Sequence, residues 1–307
     1  MSKEAKRPTI RQRIKYLLLR LLGVILFILP HWASRALARL LGVIAFDVLR
    51  MGRQMVLSYL EQVFPEKTPA QRRSIGRAGH CNLTIVGMEM LRARFLSREQ
   101  VISRVHLEEE SEALYHQLMK DGRGVVFVGA HYSNWELLGA RLAAVGYPLL
   151  SIVQDLPNPL FNRYLAETRR KLGIGIVRRS EAVRGVLRAL NEGRAIGVLA
   201  DQDAGPNGGV VTDFFWKPVS SFQGPFAFAV RCNAPLVAAW IYRSEGGRYR
   251  AGCQRLDEKA LAGVAAGADE ETRILRLTES FVQWLEELIR KDPRQYLWLH
   301  PRWQTDR

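Results

Sequence analysis

Residues 124–130, Gly-Val-Val-Phe-Val-Gly-Ala, form a short run without a single polar side chain, bounded by glycine. A strand with one wet face alternates apolar and polar residues, so an unbroken apolar run reads as a strand covered on both faces. Similar runs recur at 149–153, 174–177, 195–200 and 235–242, and helical patterns occupy 134–145, 159–172, 181–191 and 222–232 between them. Alternating strand and helix predicts an α/β fold with a central, largely parallel (mixed) sheet flanked by helices. Helices are also expected at 69–95, opened by Thr68-Pro69, at 108–120, and at 270–291. A chain of 307 residues is long enough to bury such a core. No internal repeat or low-complexity linker interrupts it.

Charge separates the start of the chain from the rest. The formal net charge is +15, and residues 1–60 hold 11 basic side chains against 2 acidic ones. Such an excess implies an acidic partner. Lys3, Lys6, Arg7, Arg11, Arg13 and Lys15 lead directly into the apolar run 16–29, which points to an anionic membrane surface. No zinc-finger, RNP or basic-zipper pattern is present, so nucleic acid is not expected as a partner. The run is 14 residues long and contains Arg20, short of the roughly 20 needed for a span. A helix lying in the interface fits better, with the stretch 36–49 adding to the same face. We therefore expect a membrane-anchoring helical region over 1–60 and a single catalytic α/β domain over 61–307. Three cysteines without CxxC spacing, Cys81, Cys232 and Cys253, read as reduced and mostly buried.

In open α/β sheets, sites form beyond the carboxyl ends of the strands. His131 follows the first apolar strand directly, and Glu136 falls five residues later in the first turn of the next helix. A histidine paired with a carboxylate is a general base. The bland reading of the same residues is an S-x-x-E capping box, Ser133 to Glu136, with a structural histidine. Asp201-Gln202-Asp203 follows another strand, either as a divalent-cation pair of a glycosyltransferase or as caps of a turn-rich loop. Residues 214–222, Phe-Phe-Trp-Lys-Pro-Val-Ser-Ser-Phe, read as core or as a wall for an acyl chain before a helix. The tail from Gln295 to Trp303 interleaves aromatic rings with basic residues, as lipid interfaces do, and a docked C-terminal segment would look alike. No GxSxG elbow, P-loop or HExxH motif competes, and Gly173-Ile-Gly175 lacks the third glycine of a dinucleotide fingerprint.

The segment Gly129-Ala-His131-Tyr-Ser-Asn-Trp-Glu136 resembles the H-x4-[DE] box of the glycerolipid acyltransferase superfamily. In its H-x-x-N-W-E form it resembles the bacterial lipid A late (secondary) acyltransferases of the lauroyl and myristoyl type. Asn158-Pro159, Asp201-Gln202-Asp203, the Phe-Phe-x-x-Pro stretch and Gln295-Tyr-x-Trp298-x-His300 fall in that family's order. The resemblance covers nearly the whole chain. It implies transfer of an acyl group from acyl carrier protein to a hydroxyl of a lipid A precursor, without metal or other cofactor. His131 is then the general base and Glu136 its partner, at the cytoplasmic face of the inner membrane. Ser133, Asn134, Asn158, Asp201, Gln202, Asp203 and Ser221 are candidates for substrate contact. A cytosolic donor argues against the rival reading of the N-terminus as a secretory signal cleaved near Ala36-Leu37-Ala38. Two departures bear on the acceptor. Gln154 stands where many members carry arginine, with Arg163, Arg169 and Arg170 as nearby replacements, and Pro301 stands where a second basic residue follows the histidine. Another glycolipid, a phospholipid or an aminolipid is the alternative acceptor. The alternatives of other classes are the metal-dependent glycosyltransferase and a non-enzymatic, basic membrane-binding protein.

Overall fold

The computed structural model describes residues 8–303 apart from 147, 155, 206, 207 and 266, and the side chain of 245. Lys3, Lys6 and Arg7 of the basic stretch, and Asp155 beside Gln154, lie outside the described residues. The chain opens with α1 (Ile10–Ile28), α2 (His31–Val43), α3 (Arg53–Val63), α4 (Pro69–Ala93) and α5 (Arg98–Arg104). It continues through β1 (Val105–Leu107), α6 (Glu109–Lys120), β2 (Val125–Gly129), α7 (Trp135–Ala144), β3 (Leu149–Val153), α8 (Pro159–Lys171), β4 (Gly175–Arg178), α9 (Ala182–Asn191) and β5 (Ala195–Leu199). After the hairpin β6 (Gly209–Phe214) and β7 (Lys217–Phe222) come α10 (Gly224–Arg231), β8 (Leu236–Arg243), β9 (Tyr249–Arg255), α11 (Asp257–Leu261) and α12 (Glu270–Lys291).

Seven strands form one sheet in the order β1-β9-β8-β2-β5-β3-β4. Only β8 and β9 pair antiparallel; the other neighbours are parallel. The α/β, mostly parallel and mixed sheet expected from the apolar runs is therefore the observed one. Val125 and Phe127 point to the side covered by α6 and α7, while Val126 and Val128 point to the side covered by α10 and α12. Each apolar residue of β2 thus has a covered face, as the unbroken run requires.

The hairpin was not expected. Residues 214–222 do lead into a helix, α10, but before it they supply the end of β6, a two-residue turn and β7. Phe215 and Trp216 hold φ of 47° and 64°. Tight hairpins need positive φ at both turn positions and usually use Asn-Gly, so an aromatic pair gave no turn signal. The reading of these residues as buried packing holds for Phe214 and Phe215, whereas Trp216 is 69% exposed.

The long helix α4 joins the N-terminal helices to the sheet. It starts at the capping box of Thr68 and Gln71, with Pro69 at the first helical position, as its sequence announces. Leu26 of α1, Ala38 of α2, Ile85, Met88 and Leu91 of α4, and Tyr164 of α8 form a small separate core. Much of α1 and α2 stays uncovered: Leu17, Leu18, Leu21, Trp32 and Leu40 are all more than half exposed. No helix among the described residues is long and apolar enough to cross a membrane. Ala36-Leu37-Ala38 lies inside α2.

Candidate active site

β2 and β5 are adjacent and parallel, with Gly129 opposite Leu199. Two residues past that pair, His131 stands beside Asp201. The carboxylate grips the histidine twice: the His131 backbone N–H donates to Oδ2 at 3.0 Å, and ring Nδ1 lies 2.8 Å from Oδ1. A proton on Nδ1 leaves Nε2 unprotonated and available as a base. The edge of the Trp135 ring packs on the imidazole, with centroids 4.9 Å apart. Burial, the largest influence on His131, pulls its pKa down, but the charge and hydrogen bond of Asp201, helped by Glu136, raise it above the ordinary value. Asp201 is itself buried, which pushes its carboxyl up, yet His131 and Arg302 hold it below the usual range. The pair works as an imidazole kept in one tautomer by an ionised carboxylate.

The expected His131–Glu136 pair is not formed. Glu136 turns across the site mouth to α8, where Arg169 grips both of its oxygens. The cause is the sheet: register brings Asp201 alongside His131, while helical geometry carries Glu136 away on the first turn of α7. The Ser133–Glu136 capping box is also absent. Asn134 is the cap; its Oδ1 accepts from the Leu137 N–H at 3.1 Å, and its Nδ2 donates to the buried Glu89 at 2.7 Å.

Residues 131–133 make a tight turn held from two sides. Ser133 has φ of 51°, the left-handed region that side chains resist. Its N–H donates to the Gln295 carbonyl at 2.8 Å, and the Leu297 N–H donates to the His131 carbonyl at 3.0 Å. Asn82 of α4 also donates to the Gln295 carbonyl, at 2.9 Å. The tail from Gln295 is thus docked against the turn that carries His131, the second of the two readings above.

His131 stands at the rim of a cavity of about 500 Å³ over the carboxyl ends of β2, β5 and β3. Its interior is apolar, with Phe127, Leu138, Leu142, Leu149 and Ile174 among the walls. Glycines make part of the room. A Cβ on Gly139 would sit 3.3 Å from Ile174, and one on Gly197 3.3 Å from Leu149. Glu136, Gln154, Arg169, Arg179 and Gln202 supply polar groups at the boundary.

A histidine–carboxylate pair beside an apolar cavity is compatible with acyl chemistry, and whole-chain similarity decides the family. The sequence model of one family, described as bacterial lipid A biosynthesis acyltransferase, matches residues 2–305. The chain belongs to that family. It is an acyltransferase. It is similar to the lipid A biosynthesis lauroyltransferase of Escherichia coli K12, 24% identical over 291 residues that cover 90% of this chain and 87% of the relative. Identity is 22% over 278 residues, with the same coverage, to the lipid A biosynthesis palmitoleoyltransferase of that organism. A shorter match, 29% identical over 127 residues, reaches the phosphatidylinositol mannoside acyltransferase of Mycolicibacterium smegmatis and covers 39% of this chain and 41% of that one.

The acyltransferase uses its other predicted residues unevenly. Arg169 and Gln202 border the cavity. Asn158 caps α8 by accepting from the Leu160 N–H, Arg163 pairs with Glu167 on its own helix, and Arg170 is exposed, so none of the three borders the cavity. Ser221 is buried, bonded to Thr212 and Arg302, and Asp203 bridges backbone to backbone with Ser221. Asp201 and Asp203, weighed as a metal pair, face different partners. Among the described residues no group of three or more His, Cys, Asp or Glu is placed to hold a metal ion. Trp135, Arg179, Tyr296 and Arg302 were missed as site residues. Tyr296 lay in the closing motif and Arg302 just after it, where their aromatic and basic character suggested lipid.

Proposed function

We propose that the acyltransferase moves a fatty acyl group from acyl carrier protein to a hydroxyl of a lipid A precursor. The observation that carries this reading is the His131–Asp201 pair at the rim of an apolar cavity large enough for an acyl chain. In the proposed step, His131 Nε2 takes the proton of the acceptor hydroxyl as that oxygen attacks the thioester carbon. The resulting oxyanion collapses, the C–S bond breaks, and His131 passes its proton to the departing thiolate, which leaves as the carrier thiol and frees the base. The chemistry needs neither metal nor another cofactor. Glu136 acts through Arg169, fixing a cation near the entrance, and Arg179 offers a second cation, stacked 5.3 Å over Phe222. Both suit the phosphates of the acceptor and the acidic carrier.

The exposed apolar residues of α1 and α2 support attachment to the cytoplasmic face of the inner membrane, with the helices lying in the interface. Each large apolar side chain left in water forgoes about 1.5–3 kcal/mol of burial, and bilayer contact recovers part of it. Changing Leu17, Leu18 and Leu21 together to serine is expected to lower co-sedimentation with anionic phospholipid vesicles by about tenfold. Unchanged binding would remove α1 from the anchoring surface.

The acyl chain is placed between α7 and the sheet. Gly197→Val should shorten the usable chain, cutting transfer of the longest accepted acyl group about tenfold or more relative to one four carbons shorter. Equal losses for both lengths would move the chain elsewhere. The main test is a micellar assay with radiolabelled acyl-acyl carrier protein and a tetraacylated lipid A precursor, comparing wild type with His131→Ala. Label in the lipid with wild type alone is expected. Absence of transfer to lipid A precursor, together with transfer to a mannosylated phospholipid, would favour the alternative acceptor, which Gln154 and the mycobacterial relative motivate. Because the base must be unprotonated and its pKa is raised, activity should climb with pH along a limb centred above the ordinary histidine value of about 6.5.

A further inference from the structure

A buried aspartate beside a half-buried imidazole carries a risk: left alone, its charge would hold the ring protonated and useless as a base. The structure surrounds Asp201 with more than His131. Tyr296 is buried and its hydroxyl faces the same carboxylate; burial first, and then the Asp201 charge, push the phenol well above its usual range, so it stays a hydrogen-bond donor. Arg302 is only 2% exposed. One of its terminal nitrogens donates to the carbonyls of Gln202, at 2.5 Å, and Ser220, at 3.1 Å. The other donates to Ser221 Oγ at 2.8 Å, and the guanidinium packs 5.3 Å from the Phe214 ring centre. No hydrogen bond runs from Arg302 to a carboxylate among these contacts. Its charge therefore remains to be felt by Asp201 and Asp203, the acidic neighbours that act on it. Burying an arginine on neutral acceptors costs stability unless its cation is needed.

We propose that Tyr296 and Arg302 are positioning residues that share the charge of Asp201 and so hold back the basicity of His131. The inference rests on His131 being the base. Other charged and titratable groups facing the pair are accounted for. Glu136, on α7, also favours the charged ring, and Arg169, which grips both of its oxygens, tempers that pull. His300, in the same tail, is held below its ordinary pKa, chiefly by burial, and so adds no positive charge at neutral pH. Asp203 faces Arg302 and His300 from the β5 side, and Tyr59 of α3 faces Asp203.

The test is an NMR titration of the histidine rings of the full chain in detergent micelles, with His131 assigned by its loss in His131→Gln. Arg302→Met should raise the His131 midpoint by about one pH unit, the scale of an uncompensated neighbouring charge. Tyr296→Phe, which keeps the volume, should raise it by about half as much. Arg302→Lys, keeping the charge, should restore most of the wild-type value. In a transfer assay the acid limb of kcat/KM should move by the same amount. If Arg302→Met does not fold, Tyr296→Phe decides alone. Folded variants with lower thermal stability but an unmoved His131 midpoint would overturn the proposal and leave these residues structural. The titration needs no substrate. A shifted midpoint in a protein that transfers no acyl group would sink the reading of function while the charge-sharing stands.

Discussion

Replacing His131 with alanine is expected to lower turnover by roughly 10²–10⁴, the usual worth of a positioned general base. The loss should fall on kcat, because in the proposed mechanism the imidazole acts on the reacting hydroxyl while the cavity walls hold the acyl chain. The fold should survive. Asp201 loses the ring donor but keeps the backbone N–H of residue 131 at 3.0 Å, so its charge is not stranded. His131→Gln, which restores a side-chain donor near Asp201, should be no more active than the alanine variant. Purified His131→Ala protein with near-normal kcat would end the base mechanism.

Asp201→Asn should fall almost as far, by about 10²–10⁴ in kcat, through the wrong tautomer instead of a missing ring. Both oxygens of Asp201 accept hydrogen bonds, one from the backbone and one from Nδ1. Asparagine has one acceptor oxygen. If it serves the backbone, its amide faces Nδ1 and forces the proton to Nε2, where the base is needed. If it serves the ring, the amide opposes a backbone N–H, at about 1–3 kcal/mol. Asp203→Asn, one residue beyond Gln202, should leave kcat within a few-fold because that carboxylate does not touch His131. Comparable losses in both variants, measured as kcat beside thermal unfolding, would return the two aspartates to a shared structural role.

These two experiments also mark where sequence reading stopped. The unbroken apolar run at Val125–Gly129 announced a doubly covered strand, and Thr68-Pro69 announced a helix start, because both signals are local. His131 was legible for the same reason: it follows such a strand. Its partner was not. Glu136 lies five residues away in the chain and Asp201 seventy, and no local pattern says that β5, and not β3, lies against β2. The available clue was that Asp201 stands as far past its strand as His131 does past its own. It becomes decisive only once those strands are neighbours. The turn at Phe215-Trp216 was hidden by its residue types, since packing on Arg290 and Phe64 holds a backbone form that aromatic side chains do not favour. Glu136 was misjudged because its true partner, Arg169, sits on another helix.

The clasp of Gln295 and Leu297 on the turn around His131 joins segments more than 160 residues apart. Contacts of such long range form late, after the loops between them have closed. A chain that lacks this segment can still build α1, α2 and the first strands. It cannot yet hold Ser133 in its strained form or place a hydroxyl and a cation behind Asp201. A chain in which the segment from Gln295 has not docked therefore lacks the geometry around His131, and we expect it to be inactive however well its earlier elements have formed.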